Sequence, residues 1–182
     1  MTMKLDGHTL VPGCVVPKVI VDKDLLTNFF EQKTYQRITK IKKNSRYPKG
    51  ATTLGTLEVK KHPERNGFSS IVEDHKISEQ SNNQTYQIPR QLYFDFSCHN
   101  DGFAYFLCKD DTGYHLRGVV TKLTKNKLEY LAYGILEDHG TGWLKSSVTK
   151  SKNHTYKVKW HYCKTHKDKW QDHGETTIRP AS

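Results

Sequence analysis

The chain has 182 residues, with 29 Lys and Arg against 19 Asp and Glu, a formal net charge of +10, and its mean hydropathy is -0.78. Aromatic residues reach 11% and are spread along the chain, which argues against disorder, because they supply the buried surface a disordered polyelectrolyte lacks. No stretch approaches the ~20 apolar residues of a membrane-spanning helix. The opening Met1-Thr2-Met3-Lys4-Leu5-Asp6-Gly7 has no apolar run of signal-peptide length, so the expectation is an intracellular protein, cytoplasmic or nuclear, with no membrane partner. Cys14, Cys98, Cys108 and Cys163 show no Cys-x-x-Cys spacing and are expected to be reduced thiols.

In chain order, the valine-rich stretch from Val11 to Val21, interrupted by Pro12 and Pro17, predicts an extended edge or turn. A helix is expected next, capped by Asp22 or Asp24, with Leu25, Leu26, Phe29, Phe30, Ile38 and Ile41 near helical spacing. Residues Asn44 to Gly50 form a breaker-rich loop. The pattern then turns to strands at Thr53 to Lys61 and Gly67 to Ile77. The polar run Ser78 to Thr85 is the best place for a boundary, dividing an N-terminal α+β segment (1–83) from an antiparallel β-rich domain (84–182), unless the whole is one domain.

From Tyr86 onward an antiparallel meander is predicted, with strands at 91–98, 103–109, 114–123, 127–136, 143–149, 155–163 and 176–179. The intervening His99-Asn100-Asp101-Gly102, Asp110-Asp111-Thr112-Gly113, Thr124-Lys125-Asn126 and Asp138-His139-Gly140-Thr141-Gly142 are turn chemistry. The fold class expected is mainly β (α+β): an N-terminal strand and helix, then an antiparallel meander or small barrel.

Charge is uneven. Nine basic residues and one acid lie between Lys33 and Lys61, eight acids and four bases between Glu64 and Asp111, and eight bases and one acid between Lys145 and Lys169. Two basic blocks around an acidic middle point to polyanions. Phosphate contacts are expected from Arg37, Lys40, Lys42, Lys43, Arg46 and Lys49 in the first block. In the second they are expected from Lys150, Lys152, Lys157, Lys159, Lys164, Lys167 and Lys169. In a strand, Lys157 and Lys159 share one face and Tyr156, Val158 and Trp160 the other. Lysine outnumbers arginine, so little sequence preference is expected on DNA or RNA. The leading expectation is a non-enzymatic nucleic-acid-binding protein, alone or within a protein complex that handles nucleic acid.

Residues 142–180 include Tyr156-Lys157-Val158-Lys159-Trp160, Asp168-Lys169-Trp170 and Thr176-Thr177-Ile178-Arg179-Pro180. This stretch resembles SH3-like barrels of the chromo-barrel and Tudor type. The resemblance implies an SH3-like barrel at the C-terminal end, a barrel class that also serves nucleic-acid binding, which the lysines fit; a separate expectation is a protein-interaction module, either a histone-type reader or an inhibitor docking on a nucleic-acid-processing or chromatin complex. Readers in that family surround methyl-lysine with aromatics. Trp160 matches one such position, whereas Cys163 and Lys167 stand where the others would be, and a lysine there would repel the ligand.

Two chemical alternatives are expectations of lower rank. Leu57-Glu58-Val59-Lys60 holds the Glu-x-Lys pair that resembles PD-(D/E)xK nucleases, in which Glu58 would hold Mg²⁺ and Lys60 orient water, with Asp22 the upstream acid. His161, Cys163, His166 and His173 are close enough in sequence to suggest zinc, but their spacing matches no zinc pattern. No cofactor is expected outside the nuclease reading. There is no Gly-x-Ser-x-Gly, P-loop or Gly-x-Gly-x-x-Gly motif.

Overall fold

The computed structural model describes residues 4–5, 8–9, 19–42, 49–79, 84–110, 115–136, 140–165 and 168–181, with no side-chain description at 4–5, 8–9, 88 and 89. The strands are β1 (Lys4–Leu5), β2 (His8–Thr9), β3 (Thr34–Ile41), β4 (Thr52–His62), β5 (Gly67–Ser78), β6 (Thr85–Cys98), β7 (Ala104–Asp110), β8 (His115–Thr124), β9 (Lys127–Ile135), β10 (Thr141–Lys150), β11 (Tyr156–Cys163) and β12 (Gln171–Pro180), with one α-helix, α1 (Lys23–Thr27). β1 and β2 pair only with each other; β3 to β12 form a closed barrel in sequence order, β12 returning to pair with β3. Every pairing is antiparallel. Closure removes the unpaired strand edges that an open meander would leave.

Alternation gives this wall an inner and an outer face. In β11, Tyr156 is buried and Lys157 and Lys159 are exposed, and Val158 and Trp160 pack against the interior cluster. In β6 to β9 the inward set includes Leu92, Phe96, Cys98, Ala104, Phe106, Cys108, Leu116, Val120, Leu128, Tyr130 and Ala132. A second, smaller cluster lies on the outer wall, where Val119, Trp143 and Cys163 are covered by Tyr105, Leu131, Tyr133 and Trp170.

The helix expected from Asp22 to Ile41 ends at Thr27. Asp22 is its N-cap, its carboxylate accepting a bond from Leu25 N at 2.9 Å. Beyond Thr27 the register belongs to a strand: Tyr35, Thr39 and Ile41 are buried at alternate positions, with β-branched Thr34, Ile38, Thr39 and Ile41 suiting the pleat. Residues 29 and 30 form a plug at one end of the barrel. Tyr156 Oη donates to Phe29 O at 3.3 Å and Tyr35 Oη to Glu31 O at 3.2 Å, while Val21 N donates to Gly102 O in the β6–β7 turn at 2.9 Å.

β5, which precedes residue 83, and β6, which follows it, pair from Gly67↔Ser97 to Ser78↔Thr85. Residues 142–180 supply β10 to β12, three consecutive staves of the ten-stranded wall. Val11 to Lys18 and Lys43 to Pro48 lie outside the described residues.

Cys98, Cys108 and Cys163 are buried; Cys14 lies outside the described residues. Burial pushes the Cys98 and Cys108 thiols up from their ordinary range, which withholds the thiolate that reacts. Iodoacetamide at pH 8 should leave all three unmodified in the native protein and label them in guanidinium chloride, as read by peptide mass mapping. Native labelling of Cys108 would mean the interior opens readily.

Candidate ligand-binding cavity

Eight strands bring a barrel to the size at which side chains fill it or leave room for one small ligand, and diameter grows with strand number. With ten strands, this barrel keeps a cavity of ≈ 180 Å³. Phe30 and Phe68 line its plugged end, Leu136 its opposite rim, and Leu57, Val72, Phe94, Phe96, Leu144 and Val158 its walls.

The polar groups on this lining are few. Arg37, Arg90 and His173 carry its ionisable nitrogen, and Ser70, Ser146, Thr176 and the two tyrosines Tyr130 and Tyr162 its hydroxyls. Arg37 faces inward in phase with Tyr35 and Thr39. Its Nη1 donates to Asp74 Oδ1; the two side chains are 13% and 3% exposed. The register explains the reach: Arg37 pairs with Gly55, Gly55 with Asp74, and Asp74 with Arg90. A Cβ on Gly55 would fall 2.0 Å from Glu73 O, so only glycine fits at the bulged step of β4 and β5. Its missing side chain leaves the inner face clear between arginine and aspartate. Arg90 Nε lies 3.9 Å from Asp110 Oδ2, whose side chain is fully buried. Asp74 and Asp110 stand behind the two guanidiniums and are not part of the lining.

On the opposite wall, burial pushes the Tyr130 hydroxyl above its ordinary range, opposed by a hydrogen bond with Ser146 and by the positive charge of Arg37. Trp160 rests on Gly174, where a Cβ would come within 2.9 Å of the indole. His173 is 6% exposed and meets the Tyr162 ring edge-on at 5.3 Å. Thr39 and Thr176 hydroxyls join at 2.8 Å.

The residues singled out from sequence are scattered by the fold. Arg37 is inside the barrel. Lys40 is exposed opposite Glu175, and Lys42 is exposed with its Nζ 2.7 Å from Asp172. Lys157 and Lys159 are exposed on the outer wall, Lys159 lying 3.7 Å from Glu175. Lys150 and Lys152 lie at the plugged end, Lys150 with its Nζ 5.7 Å from the Tyr156 ring. Lys49, Lys164 and Lys169 are exposed near the opposite end. Lys43, Arg46, His166 and Lys167 lie outside the described residues. Glu58 and Lys60 are exposed on the outer face of β4, and the Asp22 carboxylate is occupied as the helix cap. His161 and Cys163 pair with the outward Lys145 and Trp143, whereas His173 lines the interior; the barrel wall separates them. Among the described residues no group of three or more His, Cys, Asp or Glu could hold a metal. Trp160 faces the cavity and Cys163 the outer wall, so they do not share a cage.

Sequence reasoning missed Arg90, Tyr130 and Ser146. The available signal was a cation in phase with an apolar alternation: Arg90 with Leu92, Phe94 and Phe96, and Arg37 with Tyr35 and Ile41. One outer-wall trio also came together. His62 Nε2 is 2.7 Å from Ser69 Oγ and Nδ1 is 3.3 Å from Glu64, the order of groups found in hydrolase triads. Ser69 is only 6% exposed, so the trio braces the β4–β5 turn and does not present its hydroxyl to a substrate.

Fold and cavity together define a closed up-and-down β-barrel with an interior that is apolar apart from a few convergent polar groups. No protein-family model matches the chain, and no curated protein matches it in sequence. No helix among the described residues is long and apolar enough to cross a membrane.

Proposed function

We propose that the protein binds a small, largely apolar organic molecule inside its barrel. The carrying observation is the ≈ 180 Å³ cavity with its aromatic and aliphatic lining and few polar groups, the usual anatomy of a small-molecule site. An engineered apolar cavity of about 150 Å³ already takes up benzene. Indole and naphthalene should therefore raise the melting temperature, because a ligand that binds only the native state stabilises it by mass action, about 2.7 kcal/mol at a hundred times Kd. Val148→Phe, which puts a ring into the cavity, should abolish the shift. No shift in the parent protein, or an equal one in Val148→Phe, would sink this reading.

A second reading, nucleic-acid binding on the outer wall, is favoured by the exposed Lys157 and Lys159 and the +10 charge. Glu175 and Asp172 lie among these cations, which weakens any continuous positive track. Its test is a mobility shift with DNA and RNA. Log affinity should fall with log salt by about 0.9 for each phosphate contacted on a duplex, and Lys157→Glu/Lys159→Glu should reduce that slope by about two contacts. Binding untouched by salt or by this variant would refute it.

A further inference from the structure

We infer that the interior ligand is an organic anion, a carboxylate carried on a single aromatic ring, with its head group on the Arg37 guanidinium and its ring among the aromatics of the floor. This rests on the interior-binding reading and names the chemistry of its ligand.

The first support is the sign of the charge facing the cavity. Arg37, Arg90 and His173 line it, and no Asp or Glu among the described residues does. The quartet of Arg37, Asp74, Arg90 and Asp110 is neutral in sum but polarised, with cations toward the cavity and carboxylates behind them. A cavity so lined holds an anion against the low dielectric of its surroundings better than a cation or a neutral isostere.

Donor supply is the second support. Arg37 gives Asp74 a bond from Nη1, and a guanidinium carries five N–H groups in a planar fork that matches a carboxylate. The hydroxyl of Tyr130, also on the lining, adds a neutral donor.

The third is size and shape. The volume suits one ring with a small substituent. The end away from the rim is aromatic, with Phe68 and Phe96 stacked at 4.9 Å and Phe96 and Tyr130 edge-on at 5.3 Å.

The experiment follows quenching of Trp160 fluorescence by 4-nitrobenzoate and by its neutral near-isostere 4-nitrobenzamide, at pH 7.5. Trp160 lines the cavity, while Trp143 and Trp170 belong to the outer cluster, so a Trp160→Phe control assigns the signal. The acid should bind about ten- to a hundred-fold more tightly than the amide, the range expected of charge-assisted hydrogen bonds. Arg37→Met should bring the acid down to the amide's affinity while leaving the amide nearly unchanged. If that variant does not fold, Arg37→Met/Asp74→Asn, which leaves no stranded carboxylate, takes its place; the acid-to-amide comparison in the parent protein needs no variant. Equal affinity for the two compounds, or equal loss of both on removing Arg37, overturns the inference and leaves interior binding standing. Failure of both to quench Trp160 overturns interior binding itself.

Discussion

Arg37→Met should lower the unfolding free energy by about 3–5 kcal/mol, and adding Asp74→Asn should restore more than half of it. Asp74 is 3% exposed and Arg37 13%, so the pair is held away from water. Removing one member of such a pair strands the other without solvent or partner, whereas removing both is close to neutral. The barrel adds a local reason. Arg37, Asp74, Arg90 and Asp110 balance to zero. The double variant leaves Arg90 with Asp110 and keeps that balance, while the single variant leaves two carboxylates to one guanidinium. Arg90 pairs in register with Asp74 and will take up part of the stranded charge, which places the effect toward the lower end of the range. Urea unfolding of the four proteins of the double-mutant cycle measures this. A single-variant loss below about 1 kcal/mol, the usual limit for an exposed pair, would show that water reaches Asp74.

Phe30→Ala should cost about 3–5 kcal/mol, the range for deleting a buried phenylalanine ring, and should also open the plugged end of the cavity. Phe30 is 6% exposed. It stacks on Tyr156 at 4.2 Å and meets Phe29, Tyr35 and Phe68 at 5.3, 6.1 and 5.4 Å. These partners come from the plug and from three strands that are far apart in sequence, so the loss is shared by the plug and the wall. The readouts are the guanidinium midpoint and the uptake of naphthalene. The midpoint should fall with an unchanged slope, and the enlarged cavity should still take the ligand. A loss under about 1.5 kcal/mol would mean that the plug collapses into the space the ring leaves, since the cost of such a deletion depends on how far the site relaxes.

Much of the wall was legible because a half-buried strand writes its two faces with period two. Tyr156, Val158 and Trp160 point in and Lys157 and Lys159 out, as alternation requires, and Asp101 with Gly102 marks the turn before β7. The helix was overextended because Ile38 and Ile41, three residues apart, satisfy a helical period, whereas in β3 they fall on opposite faces and Ile41 is in phase with Tyr35 and Thr39. That single misreading moved Arg37 from the inner face of a strand to the polar face of a helix. Whether the two basic blocks make two faces or one was open in the sequence, because sequence shows the number of lysines and not their neighbours. Glu175 and Asp172, on β12, stand beside Lys159 and Lys42, on β11 and just past β3.

The sequence by itself determined a β-rich chain, the approximate places of most strands from β4 onward, an aspartate cap at Asp22 or Asp24 and the lack of a Cys-x-x-Cys motif. These are local properties, set by side-chain polarity, turn chemistry and spacing over ten residues or so. Only the tertiary structure decided that β12 returns to β3, that ten staves leave a space between them, and that Arg37, Asp74 and Arg90 meet across Gly55. Closure depends on twist and stagger summed around the whole wall. A cavity is what remains when residues from β3 to β12 have taken their places, and no window along the chain contains it.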